Sequence, residues 1–347
     1  MKIAITGLNA TDNPGPGVPV IRSILAAEEF KGEIIGLIYD SLDPGIYMEN
    51  IHKKCYLIPY PSTGLEILFD RIKSIHEKEK IDLIIPTLDS ELYGFIKIQP
   101  KLAELGIKSF LPTIEQLNFR AKDKLFDFCS SHQIKVPKNV LASSMQDIYS
   151  FKKEFDYPVV VKGIFYDAYI ANNFEEVVTS FDKIRMKWGY PIIIQEFVRG
   201  DEFNVVALGD GTGQTVGAVS MRKLYITDKG KGWAGVTIDD KAILDISYKL
   251  IEKLKWRSGM ELEFIKDAET GEYFLLEINP RFPAWVYLAP SAGQNLPYAL
   301  VKLALGEKVE PFKNFKIGTI FVRSSWDLIT DIKMFEKIAT TGEIKNE

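Results

Sequence analysis

Residues 275–282 read Leu-Leu-Glu-Ile-Asn-Pro-Arg-Phe. Leu275, Leu276 and Ile278 suit a buried strand, but Glu277, Asn279 and Arg281 interrupt it at alternate positions. Successive side chains of a strand point to opposite faces, so a carboxylate, an amide and a guanidinium share one side. Upstream, GMELEFIKD (259–267), the polar turn AETGE (268–272) and YFLLEINP (273–280) read as a β-hairpin, which brings Glu263 near Glu277. Facing carboxylates repel and destabilise the strand pair. A hard divalent cation reverses that sign: magnesium takes one or two carboxylates and completes its shell with water and phosphate oxygens. Asn279 adds a neutral oxygen, and Arg281 a bidentate clamp for an anion. From this hairpin alone a second reading stays open, the solvated outer face of an edge hairpin.

The rest of the chain sets the frame. Its 347 residues suffice for roughly two or three domains. A hydrophobic share of 46% with 26% charged residues is an ordinary globular balance. The net charge of -4 gives no electrostatic case for nucleic acid or an anionic membrane as partner. The two cysteines, Cys55 and Cys129, stand far apart and fit a reducing compartment. No run approaches the ~18 apolar residues of a membrane span, and MKIAITGLNAT does not read as a signal peptide. A cytoplasmic protein is expected. His52, His76 and His132 read as separate surface residues.

Strand and helix signals alternate over the first third: KIAITGL, VPVIRSILAAEEF, EIIGLIYD, LEILFDRIKSIHEKEK and IDLIIPTLD. That order predicts a parallel sheet with helices on its faces and ligands at the strands' carboxyl ends, here the loops Asn9–Gly17 and Thr87–Glu91. Two short helical stretches follow at 112–135, with Lys122 and Lys124 between them. YPVVVKG (157–163) and YPIIIQEFV (190–198) read as strands, and EFNVVALGD with TVGAVSMRKL as a hairpin. KAILDISYKLIEKLKW is an amphipathic helix, and the tail offers one strand, IGTIFVRS, and one short helix.

Glu263-Phe264, the polar turn and Glu277-Ile278-Asn279-Pro280-Arg281 resemble the metal-binding end of the ATP-grasp superfamily, in the branch of carbamoyl-phosphate synthetase large chains, biotin carboxylases and carboxylate–amine ligases. The resemblance implies that Glu263, Glu277 and Asn279 hold Mg²⁺ (or Mn²⁺), two ions, against ATP. It gives Arg281 the transferring phosphoryl group or the acyl phosphate. Lys124 in RAKDKLF and Lys162 ending YPVVVKG resemble the two phosphate-binding lysines. Gln195-Glu196-Phe197-Val198 resembles the hinge strand whose main chain reads adenine, and Glu202 the ribose acceptor. SAGQNLP (291–297) follows as in the synthetases. The implied α/β (α+β) architecture is a Rossmann-like parallel-sheet domain (1–112), a central ATP-grasp subdomain (113–195), a C-terminal antiparallel-sheet subdomain with the metal site (196–312) and an extension (313–347).

One departure stands out. The family's mobile glycine-rich loop after the second lysine is here KGIFYDAYIANNFEE, with the single glycine Gly163. Tyr166 or Asp167 takes over a role, or the basic loop TDKGKGWAG (227–235), entered through Arg222 and Lys223, covers the phosphates; Lys223 is then a nucleotide contact. GPGVPV (15–20) half-matches a dinucleotide fingerprint, but Leu8–Pro14 separate it from the strand and Val20 replaces the third glycine. Asn9, Gly15 and Gly17 are instead expected to present N–H groups to the acceptor substrate, with Asp89 and Glu91 pairing to its amino group. The expected activity is an ADP-forming ligase joining a small-molecule, peptide or carrier-bound carboxylate to an amine. Two rivals are a bicarbonate- or carbamate-phosphorylating enzyme and a nucleotide-binding module with impaired catalysis. The resemblance also allows a homodimer.

Overall fold

Short runs of Ile, Leu and Ala such as β1 (Lys2–Ile5), β2 (Glu33–Ile38) and β4 (Leu83–Ile85) suit a parallel sheet covered on both faces. The computed structural model describes residues 1–345 except 12–13, 120–121, 152–155, 165–166 and 228–229, and omits the side chains of residues 122 and 123. In it these strands and β3 (Lys54–Leu57) form a parallel array in the order β3-β2-β1-β4, with Ile3 beside both Ile34 and Leu83. The helices α1 (Gly17–Leu25), α2 (Leu65–Glu79) and α3 (Asp89–Glu104) pack on it. Ile3, Ile5, Ile34 and Ile38 join a core with Val20, Ile21 and Ile24 of α1. On the opposite face Ala4, Ile35 and Leu37 meet Leu68, Ile72 and Ile75 of α2 and Phe95 and Ile98 of α3.

Two compact units divide the chain. Unit 1 holds Met1–Arg120, Phe203–Leu262 and Ile278–Glu347; unit 2 holds Ala121–Glu202 and Glu263–Glu277. After α4 (Ile114–Asn118), unit 2 opens with α5 (Lys122–Ser131), which contains Lys122 and Lys124 rather than separating two helices at them. Its antiparallel sheet runs β5-β8-β6-β7, built from β5 (Asn139–Ala142), β6 (Val159–Gly163), β7 (Ala168–Ala171) and β8 (Ile192–Glu196). Between these strands lie α6 (Met145–Phe151) and α7 (Phe174–Trp188).

A six-stranded sheet follows in the order β13-β12-β9-β10-β11-β14. Its members are β9 (Gly200–Asp210), β10 (Thr215–Ile226), β11 (Gly232–Thr237), β12 (Arg257–Asp267), β13 (Tyr273–Asn279) and β14 (Ile320–Val322). The amphipathic helix α8 (Lys241–Leu254) buries Ile243, Leu250 and Leu254, as its periodicity predicts. Beyond α9 (Leu288–Ser291) and α10 (Leu296–Leu305), the tail forms α11 (Ile332–Thr341) and β15 (Glu343–Lys345). β15 adds an antiparallel strand beside β3, with Ile344 opposite Cys55, and Ile338 and Ile344 enter the first core. Among the described residues no helix is long and apolar enough to cross a membrane.

Candidate active site

The end of β13 is organised by a residue that the sequence reading passed over. Glu261 lies on β12 two residues before Glu263, hence on the same strand face. It is 6% exposed. One carboxylate oxygen accepts from Asn204 Nδ2 and from Trp285 Nε1, each at 2.7 Å. The other accepts from Arg281 Nη1 at 3.0 Å and Asn279 Nδ2 at 3.2 Å. Arg281 also donates through Nε to Asp89 at 3.0 Å, so its guanidinium is fixed between two carboxylates. Burying a charge is costly unless it is paired and hydrogen-bonded. Four donors meet that requirement at Glu261. The amide of Asn279 is thereby oriented: its nitrogen faces Glu261, which turns its oxygen the other way.

Unit 2 holds the residues expected to bind a nucleotide, apart from Lys223. On its sheet Val159, Val161, Ile192 and Ile194 pack in a core with Phe181 and Ile184 of α7. Alternation therefore puts Lys162 and Gln195 together on the face opposite that helix. Gln195 and Val198 are buried, Phe197 and Glu202 half-buried, and Lys124 on α5 is exposed. The Glu196 N–H donates to Lys138 O at 2.8 Å, so of its main-chain groups the C=O is the candidate for a base edge. Glu263 and Glu277 are both half-buried, on the neighbouring strands β12 and β13.

Residues 190–321 match a family model described as "ATP-grasp in the biosynthetic pathway with Ter operon". The carbamoyl phosphate synthase large chain of Methanobrevibacter smithii is 26% identical over 265 residues, which span 70% of this chain and 25% of that protein. The chain thus corresponds to about a quarter of that relative's length. The fold matches a biotin carboxylase from Campylobacter jejuni, solved as a β,γ-ATP complex, with a TM-score of 0.70 at 16% identity over 91% of this chain and 73% of that one. An L-amino acid ligase from Bacillus licheniformis gives a TM-score of 0.66 at 15% identity, over 89% and 77%. The chain is thus similar to ATP-grasp proteins over residues 190–321 and, more widely, to the synthetase large chains and to the biotin carboxylase fold.

Several residues take other places than the sequence suggests. Asp89 and Glu91 do not end a strand; they open α3. Glu91 is fully buried, and its carboxylate accepts from the Thr87 and Leu88 N–H groups, both at 2.7 Å, and from the Thr6 and Tyr39 hydroxyls. Those four donors make it the cap of α3, closed to an acceptor amine. Burial raises its carboxyl above the usual range against the opposing pull of these hydrogen bonds. The Gly15 and Gly17 N–H groups donate to Asn9 O at 2.7 Å and Gly7 O at 3.0 Å, so neither is presented to a substrate. Gly17 serves close approach instead, since a Cβ there would lie 2.2 Å from Thr6 O. The Asn9 Oδ1 atom is buried with no partner among the described residues.

The proposed ATP-grasp lid also differs. Gly232–Thr237 is the strand β11, and Thr227 N donates to Lys231 O at 2.8 Å, so these two residues close the end of the β10–β11 hairpin. Lys223 Nζ reaches Gly230 O across that tip at 3.4 Å. Asp167 accepts from Lys187 Nζ and Trp188 Nε1 of α7, each at 2.8 Å. Tyr166, named with it, lies outside the described residues, as does Lys229. His52 is buried, its Nε2 2.8 Å from Gly45 O. Glu261 had one signal in the sequence, its alternate-position partnership with Glu263. Asn204 and Trp285, distant along the chain, had none.

Proposed function

We propose that the chain is an ATP-dependent ligase that joins a carboxylate to an amine through an acyl phosphate. The observation that carries this is the Glu261 cluster, which fixes an amide and a guanidinium at the end of β13. Those two groups belong to the Glu277-Asn279-Arg281 series that resembles the phosphate and metal end of the superfamily. Similarity to a structure named as an L-amino acid ligase supports the carboxylate–amine chemistry. Proteins of this superfamily bind ATP and magnesium. The donor types here fit that ion, since two carboxylates and one amide oxygen leave the remaining sites to water and phosphate.

Glu263, Glu277 and Asn279 hold the metal, and Lys124 and Lys162 the phosphates. Gln195, Glu196, Phe197 and Val198 line the base, and Glu202 takes the ribose hydroxyls. Bound magnesium supplies charge neutralisation between the phosphates. The carboxylate oxygen attacks the γ-phosphorus as its bond to ADP breaks; the amine nitrogen then attacks the acyl carbon, phosphate leaves and the nitrogen loses a proton. Arg281 holds the acyl phosphate in line. Such a transfer rests on positioning and preorganised charge.

A second reading, phosphorylation of bicarbonate, is favoured by the synthetase relatives. ADP release screened against pools of amino acids, other carboxylates and bicarbonate, with mass detection of products, separates the two. A condensation product and no bicarbonate-dependent ADP support the ligase. Bicarbonate-dependent ADP release without a condensation product selects the second reading, and tight ATP binding with no ADP formed refutes both.

A further inference from the structure

A cavity of about 860 Å³ opens in unit 1 where the C-terminal extension passes the first sheet. Ala10 and Thr11 from the loop after β1 and Leu42 and Met48 from the connection after β2 form one side; Leu328, Ile332 and Phe335 of the extension form the other. Those loops leave the carboxyl ends of parallel strands, where sheets of this kind bind ligands. The volume falls in the range of small-molecule sites, roughly 300–1,000 Å³.

Its chemistry is one-sided. The lining is mostly apolar, and among the described residues it contains Asp327 and Asp331 but no Lys or Arg. Asp331 places one oxygen on Lys333 N at 2.7 Å as the cap of α11, yet its charge stays at the cavity. Among the described lining residues no cationic side chain offers a phosphate or a carboxylate a counter-charge. In its lining Trp326 is 84% exposed, a large apolar side chain left in water where a ligand with an apolar body would cover it.

We propose that this cavity binds an apolar primary amine, aromatic or branched, with its ammonium at the Asp327–Asp331 rim and its body against Leu42, Met48, Leu328 and Phe335. Resting on the ligase reading, it is the side-chain pocket of the amine that is joined.

The full chain without nucleotide is titrated with phenethylamine, followed by tryptophan emission and by calorimetry, with phenylacetate as the anionic control on the same ring. Saturable phenethylamine binding is expected, with phenylacetate roughly tenfold or more weaker because like charges oppose it. Leu328→Arg, a half-exposed position, is expected to abolish binding with an unchanged melting temperature. Trp326→Phe should keep the calorimetric signal and lose the emission change. Equal binding of the two probes, or full phenethylamine binding by Leu328→Arg, overturns the proposal. If Leu328→Arg ligates apolar amines as fast as the unaltered chain, the pocket is wrong and the ligase reading stands. If phenethylamine binds as expected but no acceptor pool yields ADP, the pocket stands and the ligase reading falls.

Discussion

Glu79 and Glu261 are both buried acids ringed by donors, yet their surroundings do different things. Glu79, 3% exposed, closes the first sheet: it accepts from Lys54 Nζ and Tyr56 Oη at 2.5 Å and from Lys2 Nζ at 3.0 Å. Lys2, Lys54 and Tyr56 belong to the sheet strands β1 and β3, so the cluster ties strands to a helix end. The donors of Glu261 include the amide and guanidinium of the Glu277-Asn279-Arg281 series, so here the acid orients groups proposed to hold metal and acyl phosphate. The same device, a carboxylate with several N–H or O–H donors, serves cohesion in one place and, on the proposed function, preorganisation in the other. What distinguishes them is which donors are held.

That contrast can be tested from its strongest member downward. Glu277→Gln removes a carboxylate proposed to touch the metal itself. The expected loss is about three decades or more in turnover with the true acceptor. Near-normal ADP formation by this variant would detach the β13 series from catalysis altogether. Glu79→Gln comes next and should act on stability alone. Against the desolvation that raises it, the donors Lys54, Tyr56 and Lys2 lower the Glu79 carboxyl to about 2 from 4.5. A depressed carboxylate stabilises the fold above its unfolded value, and that contribution disappears as pH falls from about 4.5 towards 2. It amounts to on the order of 3 kcal/mol. Denaturant midpoints measured across that range should fall steeply for the unaltered chain and less steeply for Glu79→Gln, with ATP turnover unchanged at neutral pH.

Glu261→Gln sharpens the comparison with a smaller effect of another kind. A residue that positions metal ligands typically weakens metal affinity about 10–100-fold when altered. Mn²⁺ binding in the presence of ATP, followed by electron paramagnetic resonance, should weaken by that factor, and Glu261→Asp should recover part of it. A variant that loses only thermal stability while keeping its Mn²⁺ affinity would place Glu261 in the same class as Glu79.

Much of this molecule is legible because it is local. The hydrophobic runs around Ile3, Ile35 and Ile84 mark strands, the spacing of Leu68, Ile72 and Ile75 marks a helix face, and the Glu277-Asn279-Arg281 alternation marks the polar side of β13. The strands β3 and β15 were not legible; each is short, and they pair with each other across most of the chain. Glu91 misled because an acid near a strand's carboxyl end has the same composition whether it faces a ligand or caps the following helix. Its four donors come from Thr6, Tyr39, Thr87 and Leu88, and only the fold assembles them.

By itself the sequence determined most of the elements and the chemical types at the site, because strand alternation and helix periodicity act over a few neighbouring residues. Tertiary structure alone decided which carboxylate each donor serves: Arg281 for Glu261 and Asp89, the Gly15 and Gly17 N–H groups for the backbone. It also decided that the tail would border a cavity at the carboxyl ends of β1 and β2. The reason is the cost of burying polar groups, which must be met by whichever partners packing brings near, however far apart they lie along the chain.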